Sequence, residues 1–122
     1  MKYFILLTFA FFISPLFSTF SPPTPPELCD GSELCVVQFN AAFNSSNEVA
    51  WLDELTNCSK STVDIMADPS LPAEYKIVVV PTILVLDNGE EVARFQANIM
   101  MTMEATREEV QESIDEIIMS KF

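Results

Sequence analysis

The chain has 122 residues, 18 acidic and 6 basic side chains, a formal net charge of −12 and no histidine. That length holds one domain rather than two, and so acidic a surface repels phosphate backbones, which excludes nucleic acid as a partner. Three cysteines without a C-x-x-C pair supply no four-ligand zinc set, so neither a metal nor a cofactor is expected.

Lys2, the apolar run 3–13, and then Ser14, Pro15 and Ser18 have the layout of an export signal. Residues 1–20 are therefore expected to be a cleaved leader. The alternative is an uncleaved N-terminal anchor, and only then would the protein meet a membrane. Ser21 to Pro26 carries four prolines in six residues, an extended spacer composition, so residues 21–32 are expected to be a linker and 33–122 the folded domain.

Within the domain, Leu34 to Phe39 (LCVVQF) reads as a central strand, rich in branched and aromatic residues. Val49, Leu52 and Leu55 follow at helical spacing, and Ser45 stands three before Glu48 in a capping-box arrangement, so a helix is expected from there to about Asn57. Ser61 to Met66 reads as a second strand, and Asp68-Pro69 opens a short helical or irregular segment reaching Tyr75. The run KIVVVPTILVL is interrupted by Pro81, which has no N–H for a sheet ladder and must break it. Thr82 to Leu86 and Glu91 to Phe95 flank Asn88-Gly89, a strong hairpin signal. Ile99, Met100, Met101 and Met103 are expected to fill a seam under the last helix, an adaptable binding surface being the alternative. That helix is marked by Val110, Ile114, Ile117 and Ile118, with Thr106 and Glu109 as its capping box. The order is β-α-β, a connecting segment, then β-β-α.

This order, and above all the segment YKIVVVPTILVLDNGEEVARF at 75–95, resembles the thioredoxin-like superfamily. There a tyrosine, an apolar pair, a cis-proline followed by threonine, a strand, an Asn-Gly turn and a second strand occur in the same sequence. Upstream, residues 35–43 resemble the family's strand leading to its redox site, and the likeness spans 34–120. It implies an α/β domain with a truncated thioredoxin-like fold: about four strands in a mixed sheet, flanked by helices. It also implies that Val80-Pro81 is cis, with Val80 presenting backbone groups to an extended peptide beside Phe43 and Asn44.

The same likeness shows what is missing. Where the family has its W-C-G-P-C motif, this chain has Phe43-Asn44-Ser45-Ser46-Asn47, so neither a nucleophilic nor a resolving thiol is present. Gln38 stands where redox-active members keep a buried acid. In a parallel β-α-β arrangement Cys29 and Cys58 both fall near the strand N-termini, and a structural Cys29–Cys58 bridge is the expected pairing among three possible ones, with Cys35 as an inert strand residue. Asn44-Ser45-Ser46 and Asn57-Cys58-Ser59 match the glycosylation sequon. The expected function is an exported, non-catalytic module that binds a protein or peptide in extended conformation. A thioredoxin-type thiol-disulfide oxidoreductase using a non-standard cysteine is the alternative.

Overall fold

The computed structural model describes Cys29 and residues 32–122; the expected leader at 1–20 and nearly all of the linker at 21–32 lie outside them. Four strands, β1 (Leu34–Asn40), β2 (Ser59–Asp64), β3 (Thr82–Asp87) and β4 (Glu90–Gln96), form one sheet in the order β2-β1-β3-β4. β1 and β2 are parallel, whereas β3 runs antiparallel to both β1 and β4. The sheet is mixed and covered on both faces.

The strand residues divide by alternation, as successive side chains in a strand must. Leu34 and Val36 of β1 with Ile83 and Val85 of β3 face one side, where they pack with Val49, Leu52, Leu55, Val110 and Ile114. Cys35, Val37 and Phe39 with Leu84 and Leu86 face the other, under Val63, Leu71, Tyr75 and Ile77. Every residue of β1 is buried, the polar Gln38 and Asn40 included, which explains why the strand does not alternate between apolar and exposed polar residues.

Among the described residues two α-helices flank the sheet. α1 (Ser70–Glu74) is a single short turn after Asp68-Pro69, and α2 (Arg107–Met119) is the amphipathic C-terminal helix. Its capping box is formed: Glu109 N–H donates to Thr106 Oγ1 at 3.2 Å, and the Glu109 carboxylate accepts from Thr106 N–H at 2.8 Å. Asn88 and Gly89 both take positive φ, 53° and 86°, the twist that a two-residue hairpin loop needs. A bulge between Val85 and Leu86 shifts the register against β4 and leaves Val92 unopposed.

One expectation fails. The segment after β1 is not an α-helix but two 3₁₀ turns, Ala42–Asn47 and Ala50–Glu54, separated by extended backbone at Glu48 and Val49. Leu52 lies within the second turn, Val49 and Leu55 are the extended residues that flank it, and all three reach the core. No capping box exists at Ser45, which lies inside the first turn. Buried Gln38 sets the break instead, accepting the Val49 N–H at 2.8 Å through its side-chain carbonyl.

Candidate functional site

Where β1 and β2 end, a small group of asparagines organises the surface. Asn44 is 4 % exposed. Its amide nitrogen is shared among the Asn40 side-chain carbonyl at 3.2 Å, the Met101 carbonyl at 3.2 Å and the Val80 carbonyl at 3.5 Å. Asn40 donates back to the Asn44 backbone carbonyl at 3.2 Å, and Asn47 donates to the Asn44 side-chain oxygen at 2.9 Å. One buried amide thus joins the end of β1, the segment before Pro81 and the loop after β4. Such a group is costly to bury unless its bonds are made, and here they fix three segments in mutual register.

Around this hub lies an open cavity of about 280 Å³. It is lined by Phe43, by Ile65 just beyond β2, by Ile77 to Val80, and by Asn98, Ile99 and Met101. The Val80-Pro81 peptide is cis, and Pro81 itself is buried. Thr82 donates to the Val79 carbonyl at 2.7 Å. The 75–77 stretch is held by Arg94, which donates to the Tyr75 and Lys76 carbonyls at 2.6 and 3.1 Å and is itself clamped by Glu91 at 2.8 Å. That clamp keeps the Glu91 carboxyl below the usual carboxylate range, through the Arg94 hydrogen bond first.

Large apolar side chains stand exposed at this end of the sheet: Phe43 is 68 % exposed, Val78 77 % and Ile99 97 %, with Met66 and Met100 beside them. The seam expected for residues 99–103 holds only for Met103, which packs against the core. Ile99, Met100 and Met101 point to solvent because Asn98 ties the loop off beneath them. Its side-chain oxygen accepts the Met100 and Thr102 N–H groups at 2.9 and 3.1 Å, and its amide donates to Glu104 at 2.9 Å. Met101 is held at φ 60°, a left-handed conformation that costs an unbranched non-glycine residue about 1 kcal/mol. The loop is braced in an unfavourable shape that displays apolar side chains.

No thiol is present here. Ser45 and Ser46 are exposed, Asn47 is half-buried, and Gln38 below is 1 % exposed with its amide nitrogen unpartnered among the described residues. The expected Cys29–Cys58 bridge is not formed. Cys29 is paired with Cys35, their Cα atoms 5.4 Å apart, and Cys58 is the free cysteine. Strand parity gives the reason: Cys29 and Cys35 share one face of the sheet, whereas Cys58 packs against the cluster on the other. Burial pushes the Cys58 thiol above its ordinary value, and nearby Lys60 offsets only part of this. Among the described residues no three His, Cys, Asp or Glu side chains are grouped to hold a metal ion, and no helix is long and apolar enough to cross a membrane.

Solved structures share this architecture. A mutant thioredoxin from Halobacterium salinarum superposes with a TM-score of 0.57 at 19% identity, over 70% of this chain and 75% of that one. Thioredoxin 1 from Thermosipho africanus gives 0.57 at 22% identity, over 71% and 97%. The fold is thioredoxin-like. Fasciola hepatica thioredoxin agrees, at 0.51 and 26% identity over 69% and 80%. No protein-family model and no curated protein matches the chain.

In this thioredoxin-like domain Phe43 and Val80 line the cavity and Asn44 sits beneath them, while Pro81 lies in the core and Cys29 at the other end of the sheet. The sequence reading missed Asn40, Val78 and Asn98 as parts of the site. The spacing of Asn40, Asn44 and Asn47 was the available signal, since polar residues four and three apart directly after a buried strand have few solvent-facing positions to occupy.

Proposed function

We propose that the domain is a non-catalytic module that holds a polypeptide in extended conformation across the Phe43–Val80–Ile99 cavity. The observation that carries this reading is the braced apolar rim around that cavity. Exposed apolar groups gathered on one face mark an interaction surface, and a loop pre-set in its presenting shape lowers the ordering cost of binding. The backbone at 78–80 supplies the polar half of recognition. Among the described residues the N–H groups of Val78, Val79 and Val80 make no hydrogen bond, so an incoming chain can pair with them as an added strand does. The carbonyls of Val79 and Val80 are already engaged by Thr82 and Asn44.

One observation favours the oxidoreductase alternative: a disulfide is present. Against it, both Cys29 and Cys35 are buried, and Cys58, on the opposite face, has its thiolate fraction lowered by burial. A disulfide out of reach of an attacking thiolate exchanges slowly. Such a bridge fits a structural role in an oxidising compartment, which supports export as part of the proposal.

The test pairs two assays on the full mature chain. In the first, a reduced and carboxymethylated protein, permanently unfolded, serves as the polypeptide probe. Binding is expected, and Val78→Asp with Ile99→Asp, both at exposed positions, should weaken it at least about tenfold without lowering the melting temperature. In the second, insulin-disulfide reduction should not exceed that of a cysteine-free variant. Failure of the wild-type chain to bind the probe, or turnover abolished by Cys29→Ser, overturns the proposal.

A further inference from the structure

Beside the apolar cavity, and separated from it only by neighbouring residues along the chain, lies a smaller hollow of about 100 Å³ lined by Asn40, Ser45, Glu48, Thr62 and Asp64. Ala42 of this hollow precedes Phe43 of the cavity, and Asp64 precedes Ile65, so the two open side by side at the same end of the sheet. Glu48 and Asp64 are exposed, and neither is in an ion pair among the described residues, whose salt bridges use Arg94, Arg107 and Lys121. The Asp64 carboxylate spends one oxygen on the Met66 N–H at 2.9 Å. On the far side of the cavity, Glu104 is drawn in by Asn98 at 2.9 Å. Lys76 is the one base next to a lining residue in sequence, and Arg94 nearby is neutralised by Glu91.

We infer that the polypeptide held in this groove is basic, with apolar side chains entering the cavity between Phe43, Val78 and Ile99 and a lysine or arginine reaching the Glu48–Asp64 hollow. This rests on the reading of the groove as a polypeptide site and adds the chemical class of its occupant. In an extended chain successive side chains point to opposite sides. A segment lying over the cavity can therefore send one side chain inward and its neighbour sideways to the carboxylates. Beside the apolar Ala41, Ala42 and Val63, the hollow carries oxygen acceptors, two carboxylates among them, which suits the apolar stem and the charged donors of a lysine or arginine. Charge complementarity of this kind sets partner choice and encounter rate more than raw affinity.

The probes are three capped synthetic nonapeptides in which valine alternates with lysine, serine or glutamate. At low salt the lysine peptide is expected to bind about tenfold tighter than the glutamate peptide, with the serine peptide between them. The margin should shrink at about 0.5 M salt. Glu48→Gln with Asp64→Asn, which keeps the oxygen that accepts the Met66 N–H, should remove most of the lysine preference and leave serine-peptide binding unchanged. Glu112→Gln with Glu116→Gln removes the same charge from exposed positions on α2 and should change nothing. Equal binding of all three peptides, or a preference lost alike in both double variants, overturns the basic-partner inference while the groove stands. No binding of any peptide overturns the groove reading and the inference with it.

Discussion

At the end of the sheet where β1 and β2 begin, the domain is stapled. Cys29 is bonded to Cys35, Ser59 donates to the Cys29 carbonyl at 3.2 Å, and Lys121 from beyond α2 pairs with Glu33 and Asp87. At the opposite end, where thioredoxin-like proteins keep their dithiol, no thiol is present and a buried amide ties three segments together beneath an apolar rim. The contrast separates two uses that a thioredoxin-like fold can make of the same scaffold. A thiolate must be reachable and electropositively placed to react; an amide hub must be buried and fully bonded to hold a shape. Asn44 meets the second requirement and cannot meet the first.

The largest effect should come from breaking the hub. Asn44→Ala strips partners from Asn40, Asn47, Val80 and Met101, and a loss of about 3 kcal/mol is expected in denaturant unfolding, the upper range for orphaning buried polar groups. Ser45→Ala, at the exposed neighbouring position, should change stability by less than about 0.5 kcal/mol. Equal effects at the two positions would mean that Asn44 is not the organising residue. The variant should also weaken polypeptide binding, because the 98–102 loop loses its bond to the rest of the site.

Breaking the staple comes next. Cys29→Ser with Cys35→Ser opens a short loop, since the two cysteines are six positions apart, and the chain-entropy estimate gives about 2 kcal/mol. Polypeptide binding should persist, measured on the folded fraction, because the disulfide and the groove lie at opposite ends. Peptide mapping of the non-reduced protein should find Cys29 linked to Cys35 and Cys58 alone alkylated. A Cys29–Cys58 peptide would reverse the assignment made from strand parity.

That assignment illustrates how much the sequence carried. The β-strands were legible because their signals are local: LCVVQF must be buried on both faces, and Asn88-Gly89 offers the two positive φ values a hairpin requires. Thr106 and Glu109 announced α2 in the same way. The region after β1 was misread because Val49, Leu52 and Leu55 fit both a helical face and a 3₁₀ turn, and only the buried Gln38 carbonyl, eleven residues upstream, decides between them. The cysteine pairing went wrong for a related reason. Nearness to strand N-termini places Cys29 and Cys58 together along the sheet, but which face each occupies depends on register, and Ser59 opposite Cys35 puts Cys58 on the far side. The display of Ile99 and Met100 depends on Asn98 folding the loop under itself, a tertiary arrangement that methionine content does not encode.

The smallest expected effect concerns the remaining thiol. Because burial raises Cys58 from its ordinary value, its thiolate appears only at higher pH in the folded protein than in the unfolded chain. The pH profile of native-state alkylation should therefore be displaced upward relative to the same profile in denaturant. A downward displacement would mark an activated thiol and reopen redox chemistry at the stapled end.

Where a polypeptide touches the domain tests the contrast between the two ends most directly. Amide chemical-shift mapping of the isotope-labelled protein, titrated with the lysine–valine peptide, is expected to perturb Phe43, Ile65, Ile77 to Val80 and Asn98 to Met101 and to leave Cys35, Cys58 and Lys121 unmoved. Shifts gathered around Cys35 and Cys58, with the Phe43–Val80–Ile99 groove silent, would contradict the account.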